Sequence, residues 1–508
     1  MPLSRMHCVS LYGLEAVPVE VEVDVTVDPT GEKSSFVIVG LPDTAVRESK
    51  DRVLTAVKNS GYKVGSMFCT VSLAPGDLKK EGVLYDLPIA MGLLRSLGHL
   101  KNSALLDDYL IVGELGLSGQ LRPVVGALAI AMLAKEQGKK GVLIPASNAL
   151  EAAMVTGIHV YPITTLKDAV RFFENPLSLP PHAPTIDTTL FQSGQPAVDF
   201  SDVKGQSHVK RALEVAAAGA HNIVLCGPPG TGKTLMAKAL IGIMPDLSLE
   251  EALEITRVHS VAGLLPEGQN FITRRPFRSP HHTVSYAGLI GGGSNPRPGE
   301  VSLAHHGILF LDELPEFSRS VLEVLRQPLE DRKVTISRAN GSYTFPTNIM
   351  CVAAMNPCPC GYRGHPEKNC KDTEIQIERY RSKISGPLWD RLDMHIEVPH
   401  FRYADMLKVP PSEPSQLIRQ RVVRARTIQR QRLGGIRTNA QLTPREIKQH
   451  CHLSHECVAV LHTAIEQMSL SARACDRLIR VARTIADLEE APHIQPEHLL
   501  EAINFRGL

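Results

Sequence analysis

The chain lacks any appreciable excess of charge of either sign: 55 Lys and Arg stand against 53 Asp and Glu, a net charge of +2 over 508 residues. That excludes a global polycation built to coat nucleic acid, so any such contact must come from a local patch. No apolar run approaches the roughly 18 residues a membrane span needs. The opening "MPLSRMHCVSLYGLEAVPVEVEVDV" passes quickly into alternation with acids, which is not a signal-peptide pattern, so the expectation is a cytoplasmic protein with no membrane partner. There is no internal repeat. Ten cysteines in a cytoplasmic chain are expected to be thiols or metal ligands rather than disulfides. Seven of them stand alone and read as small buried hydrophobes. What is present is ordinary for an ordered globular chain, 43% apolar and 21% charged. The length exceeds one core, so roughly two to four domains are expected.

Residues 15–27, "EAVPVEVEVDVTV", alternate apolar and acidic, the period of a strand with one wet face. "SFVIVGLP" reads as a buried strand, and "DTAVRESKDRVLTAVKNSG" as a helix opened by Asp43 and closed by Gly61. Alternating strands and helices make residues 1–173 a mixed α/β domain. Residues 174–198 are proline-rich and aperiodic, the composition of a linker. A second α/β unit covers 199–401, and after a further proline-rich break a helical domain covers 402–508.

"NIVLCGPPGTGKTLMAKAL" places G-x-x-x-x-G-K-T between an apolar strand and a helix. Gly227, Gly230 and Gly232 let the backbone turn so that its N–H groups point at phosphate oxygens, and the following helix adds its positive end. Lys233 reaches the β- and γ-phosphates, and Thr234 offers a hydroxyl to Mg2+. ATP with Mg2+ is therefore the expected cofactor pair. "HHGILFLDELPEF" supplies a second buried strand ending in Asp312, a Mg2+ ligand through water, and Glu313, which can orient or deprotonate an attacking water. A third strand, "NIMCVAAMN", ends at Asn356. That side chain can hydrogen-bond the attacking water, or it can cap the following turn.

With "FSDVKGQSHVKRALEVAAAGAHNIVLCGPPGTGKT", "FRSPHHTVSYAGLIGGGSNPRPGEVSLAHHGILFLDELPEF", "AAMNPCPCGY", "ISGPLWDRLDMHIEVP" and "LSARACDRLIRVARTIADL", the chain resembles the magnesium-chelatase-like AAA+ ATPases, and among them the YifB/ComM family of DNA-processing ATPases. The resemblance runs from end to end. It implies an α/β fold with a Lon-protease-like α/β domain, a P-loop AAA+ domain and a C-terminal helical lid. It implies that Arg391 is an arginine finger reaching a neighbour's γ-phosphate, hence a homo-oligomeric ring, a hexamer. It implies that Arg473 is a second sensor on the nucleotide, with Arg477 as rival. The activity implied is an ATP-driven DNA helicase that moves branched or single-stranded DNA in recombination or natural transformation, alongside recombination proteins. A magnesium-chelatase ATPase subunit and a remodeller of a protein partner are the alternatives. Lon proteases carry a catalytic Ser and Lys where this chain has "EGVLYDLPIAMG" and "VVGALAI". Asp86 stands near the Ser position and no Lys follows, so no peptidase activity is expected.

The same family continues its Asn with C-P-C-G-Y and a later C-x-C, four thiolates that suit tetrahedral Zn2+. This chain has Cys358, Cys360 and Cys370 but Asp at 372. A three-cysteine structural Zn2+ site completed by Asp372 or His365, a metal-free loop and a redox pair all fit that pattern. For DNA, "KVTISR" and "YTFPTNI" flank a turn and read as a hairpin. In this AAA+ branch such an insertion faces the ring pore, with Lys333 beside Arg332 at its base and Arg338 at its turn. The Gly-rich segment carrying Arg278 and Arg297 resembles a second pore insertion. His281 and His282 in it have no acidic or thiol partner at ligand spacing and read as loop histidines. Seven arginines, at 419, 421, 424, 426, 430, 432 and 437, lie on a helix that reads as a solvated lid face or a DNA face.

Overall fold

The computed structural model describes residues 3–100, 105–183, 197–265, 271–293, 296–338, 341–400, 412–468 and 470–507. These fall into two compact units, one made of residues 1–188 with 253–272, the other of 189–252 with 273–508.

The first unit is built on a seven-stranded mixed sheet. In chain order its strands are β1 (Ser4–Tyr12), β2 (Glu15–Val27), β3 (Ser35–Val39), β4 (Met67–Ala74), β5 (Tyr109–Ile111), β6 (Gly141–Pro145) and β7 (His159–Ile163), and the spatial order is β3-β4-β2-β1-β5-β6-β7. The alternation of β2 is realised: Val19, Val21, Val23 and Val25 face the core while the acids between them stay accessible. Strand β3 is not the buried strand its apolar run suggests. It forms the sheet edge, and Val37 and Val39 are 49% and 44% exposed. A short apolar run carries no information about which strand ends up outermost. Helix α1 (Thr44–Asn59) is capped by the Asp43 carboxylate, which accepts from Val46 N, and Gly61 follows its end at φ +88°.

Helix α2 (Asp86–Ser96) starts at a fully buried carboxylate. Asp86 accepts from Ser49 Oγ at 2.5 Å, from Arg52 Nε and Nη2 at 2.9 and 3.0 Å, and from Leu115 N at 3.2 Å. Its lone pairs are committed to the fold, so this group holds the domain together.

The second unit is a five-stranded, wholly parallel sheet of β8 (Ile223–Cys226), β9 (Phe277–Arg278), β10 (Ile308–Leu311), β13 (Met350–Met355) and β14 (Met394–Glu397), in spatial order β9-β10-β13-β8-β14. Between β10 and β13 the chain makes a separate hairpin, β11 (Lys333–Arg338) with β12 (Gly341–Pro346). Parallel strands covered on both faces must be apolar throughout, and "IVLC", "ILFL" and "MCVAAM" are buried at every position.

The helices that matter below are α3 (Ser207–Gly219), α4 (Lys233–Ala239), α5 (Leu249–Ala262), α6 (Glu374–Arg381), α7 (Ser415–Leu433), α8 (Ala472–Leu488) and α9 (Pro496–Asn504). Contacts cross two of the expected boundaries. Residues 253–272, expected within 199–401, belong to the first unit. There Arg257 Nε donates to Leu14 O at 2.9 Å, and Ser260 Oγ bonds Glu151 Oε1 at 2.5 Å. The helical C-terminal segment, expected as its own domain, shares one core with the parallel sheet: Ile418 and Val422 of α7 and Val481 and Ile485 of α8 cluster with Ile223 and Met394. Much of the expected linker, residues 184–196, and residues 401–411, which include the start of the proline-rich break, lie outside the described residues. No described helix is long and apolar enough to cross a membrane.

Candidate functional site

Ligand sites in open parallel sheets lie beyond the carboxyl ends of the strands, and the strand register brings three loops there together. Cys226 pairs with Met355 and Leu311 with Ala353, so the segments following β8, β10 and β13 emerge side by side. They line a cavity of about 390 Å3 with Gly230, Lys233, Thr234, Asp312, Glu313 and Asn356 on its walls.

The three glycines serve in different ways. Gly230 and Gly232 sit at φ +81° and +84° with open space where a side chain would go, so backbone conformation demands them. At Gly227 a Cβ would fall 2.3 Å from Val398 O, so packing demands that one. The Lys233 ammonium is shared among Gly227 O (2.5 Å), Pro228 O (2.9 Å) and Asn356 Oδ1 (3.3 Å). Its pKa is lowered, chiefly by desolvation, against the pull of Cys226, Asp312 and Glu313. Thr234 Oγ1 donates to Asp312 Oδ2 at 2.9 Å. Glu313 occupies the left-handed region at φ +53° and leaves its carboxylate more than half exposed in the cleft.

Sequence reasoning missed one neighbour. His282 Nδ1 lies 3.8 Å from Glu313 Oε2, and the His281 and His282 rings lie 4.0 Å apart. The expectation that these histidines have no acidic partner is corrected. Thirty-one residues separate His282 from Glu313, and only the pairing of β9 beside β10 closes that gap.

The arginines gather elsewhere. Arg391, Arg473, Arg477 and Arg480 line a second cavity of about 360 Å3, with Glu330 and Asp393, and none of these six residues lines the phosphate cleft. Arg391 is buried and tied down: it pairs with Glu330 and donates to Arg326 O at 3.0 Å and Pro387 O at 2.7 Å. It is therefore not a free finger in the single chain. Arg477 pairs with Asp393 at 3.5 Å. Arg473 is exposed, and among the described residues it has no ion-pair partner. Arg480 has its Nε buried without a hydrogen-bond partner.

The cysteine expectations divide. Six of the seven isolated cysteines are buried. Cys358, Cys360 and Cys370 converge with Asp372 just beyond Asn356.

Among the DNA candidates, Lys333, Arg338 and Arg297 are exposed. The hairpin of β11 and β12 buries Val334, Ile336, Tyr343 and Phe345 along one face. It packs against the short pairing of Gly291–Gly292 with Arg297–Pro298: Cβ atoms at Gly291 and Gly292 would lie 3.1 Å from Ile336 Cδ1 and 3.5 Å from Arg338 Nη2. Two segments separated in sequence thus present their cations from adjoining hairpins. Other basic candidates are withdrawn. Arg278 is held by Glu300 at 2.6 and 2.7 Å, and Arg332 donates to Asn348 Oδ1 at 2.6 Å with its pKa pushed down to about 10 by desolvation.

The seven arginines at 419 to 437 are drawn into ion pairs and hydrogen bonds rather than standing as one free basic face, although Arg424 and Arg430 stay exposed. Arg419 pairs with Asp246, Arg421 with Glu214 and Glu413, Arg424 with Glu490, Arg430 with Glu251, Arg432 with Asp487 and Arg437 with Glu446, while Arg426 donates to Ala217 O. They bind the helical segment to its surroundings, and the scattered acids that partner them gave no local signal.

Comparison with known proteins agrees along the whole chain. Residues 199–406 match the family model described as magnesium chelatase, subunit ChlI; residues 21–148 match that of subunit ChlI of Mg-chelatase, and 412–506 that of the ChlI C-terminal part. The chain is 41% identical to the competence protein ComM of Haemophilus influenzae over 512 residues, covering 100% of this chain and 98% of the relative. It is 42% identical to the uncharacterized protein YifB of Escherichia coli over 509 residues, with the same coverage. A shorter similarity, 31% over 154 residues and 28% of this chain, links it to Lon protease 2 of Bacillus subtilis, of which it covers 26%.

Proposed function

The chain belongs to the YifB/ComM family of magnesium-chelatase-like AAA+ ATPases, and from that premise we propose that it is a ring-forming motor that uses ATP to move DNA. The family implies ATP and Mg2+. The cleft fits both. The loop is open at Gly230 and Gly232, and the Lys233 ammonium, now shared by two carbonyls and an amide oxygen, can turn to phosphate oxygens. Thr234 and Asp312 would hold Mg2+, which neutralises phosphate charge when bound. Glu313 is the general base that orients and deprotonates the attacking water. Asn356 positions that water and holds Lys233 toward the γ-phosphate.

The observation that carries the ring is the separation of the arginines from the phosphates. Arg391 and Arg473 share a cavity that contains none of the P-loop residues. A fixed cation stabilises transferring charge only in contact with it, so these arginines act on the ATP of a neighbouring chain, in a closed ring of six. Mixing two inactive variants tests this. Lys233→Ala chains supply intact arginines and Arg473→Ala chains supply intact cradles, so a random mixed ring regains activity at about a quarter of its interfaces. A mixture as inactive as its parents refutes action between chains.

The adjoining cationic hairpins of Arg297, Lys333 and Arg338 support DNA as the cargo, held through phosphates without base readout. The name of the Haemophilus relative supports a role in competence, which we extend here to helicase-driven branch migration in recombination and natural transformation. Stimulation of ATP turnover by four-way DNA junctions, with ATP-dependent junction movement that Lys233→Ala abolishes, is the result expected. A second reading, an ATPase subunit serving a metal-inserting or remodelled protein partner, is favoured by the description of the matching family model. It predicts turnover indifferent to every form of DNA. The committed carboxylate of Asp86 supports an N-terminal unit without peptidase activity, serving assembly or DNA contact.

A further inference from the structure

We propose that Cys358, Cys360, Cys370 and Asp372 form a tetrahedral Zn2+ site that fixes the loop joining Asn356 to α6 against the phosphate cradle. The three sulfurs are separated by 3.4, 3.6 and 3.6 Å, and Asp372 Oδ2 lies 3.8 Å from Cys370 Sγ. A tetrahedral Zn2+ with Zn–S near 2.3 Å and Zn–O near 2.1 Å has S–S edges of about 3.8 Å and S–O edges of about 3.6 Å. The three S–S edges and the Cys370–Asp372 edge therefore match that tetrahedron to within a few tenths of an ångström, and all four donor atoms lie within 4.8 Å of one another. The sulfurs are much too far apart for a disulfide, which needs about 2.05 Å. Thiolates with one hard carboxylate and no vacant vertex match a structural Zn2+ better than a catalytic one.

The fourth ligand is settled by what else each candidate does. Asp372 Oδ2 is aimed into the cluster by the Cys360 backbone N–H at 2.8 Å, the outer-shell support that ligating carboxylates ordinarily have. His365 is turned away. Its Nδ1 accepts from Glu367 N and Lys368 N at 3.0 and 3.1 Å, and its ring lies 4.2 Å from that of His400.

The position of the cluster gives it a purpose. Gly361 of the loop sits at φ +81°, and a Cβ there would lie 2.7 Å from Pro229 Cδ of the phosphate loop and 3.8 Å from Asn356 Cγ. Beyond the cluster, the buried Tyr380 of α6 hydrogen-bonds the Asn356 backbone. The metal site and α6 thus bracket Asn356 from both sides. Across the exposed stretch between them Arg363 pairs with Glu374 at 3.1 Å. Loss of the metal frees that stretch and lets Asn356 drift from Lys233.

The protein purified without chelator should carry about one Zn2+ per chain by elemental analysis. Replacement by Co2+ should give intense tetrahedral ligand-field bands with a thiolate charge-transfer band sized for three sulfurs. Asp372→Ala should weaken metal retention against a chromophoric chelator by about tenfold or more, and His365→Ala should not. Removing Zn2+ from the intact chain should lower its affinity for a fluorescent ATP analogue severalfold while far-ultraviolet dichroism is unchanged. The binding readout keeps this test separate from the DNA-motor reading, which needs turnover. A metal-free chain whose three thiols react freely with a thiol reagent overturns the proposal, as does a Cys358–Cys360 disulfide found by mass as the resting state. Loss of metal in His365→Ala but not in Asp372→Ala overturns the assignment of the fourth ligand. Where Asp372→Ala fails to fold, the Co2+ spectrum of the unmodified chain still decides.

Discussion

Replacing Arg391 by Ala and, separately, its partner Glu330 by Gln distinguishes an arginine that acts across a ring from one that only holds its own chain together. Arg391 is 8% exposed and satisfied by Glu330, Arg326 O and Pro387 O. Truncation leaves two carbonyls without a donor and removes the packing of the stem, a loss of about 2–4 kcal/mol. For a unit of this size that lowers the melting temperature by roughly 3–6 °C. A finger that meets a neighbour's γ-phosphate is worth about 10³–10⁵ in turnover, so the catalytic loss should far exceed the structural one.

Glu330 separates the two effects. Its side chain is 45% exposed, so the ion pair contributes no more than about 1 kcal/mol. Glu330→Gln should melt within about 2 °C of the parent, and by loosening the tether it should leave turnover in the ring unchanged or raise it. The assay is steady-state ATP hydrolysis at concentrations where the ring is assembled, paired with thermal unfolding of the same samples. If Arg391→Ala melts early but turns over within about tenfold of the parent, the arginine is structural and the finger assignment is wrong.

Lys233→Ala should lose nucleotide binding, read by titration with a fluorescent ATP analogue; retained affinity would remove the cradle from the mechanism. Glu313→Gln should bind ATP normally and hydrolyse it at least about 10²-fold more slowly, and His282→Ala should change turnover without changing ATP affinity, since His282 meets the base but does not line the phosphate cleft. An unaltered rate in His282→Ala would show the contact to be idle. Burial holds His221 and His395 down to about 4. Both stay neutral in the folded chain while the unfolded chain takes up protons near 6.5, so their stabilising effect is present above about pH 6.5 and is lost as pH falls toward 4, by about 2 kcal/mol each at pH 5. Denaturant midpoints at pH 7 and pH 5 should differ accordingly, and less so in His221→Gln; equal midpoints would contradict this. Asp86→Ala strands the Arg52 guanidinium and should cost about 3–5 kcal/mol in the first unit, seen as an early melting transition with ATP binding intact.

The phosphate cradle was legible because its chemistry is local. Gly227, Gly230, Gly232, Lys233 and Thr234 are neighbours in sequence, and a turn that points backbone amides at phosphate needs those residue types at that spacing. The strands ending in Asp312 and Asn356 were legible because strands buried on both faces are apolar throughout, so a polar residue closing such a run marks the sheet's carboxyl edge. The alternation of β2 and the Asp43 cap of α1 were equally local signals. The remainder depended on pairing over long distances. The order of strands put β3 at an edge and Phe277–Arg278 beside β10, which carried His282 to Glu313. The fold of the loop after Asn356 put Asp372, and not His365, beside the three cysteines. Acids from several segments neutralised the arginines of α7, and Arg391 came to lie with Arg473 rather than with Lys233. A sequence states which side chains can carry a reaction; which charges remain free to act follows from burial and partner choice, and the tertiary structure decides both.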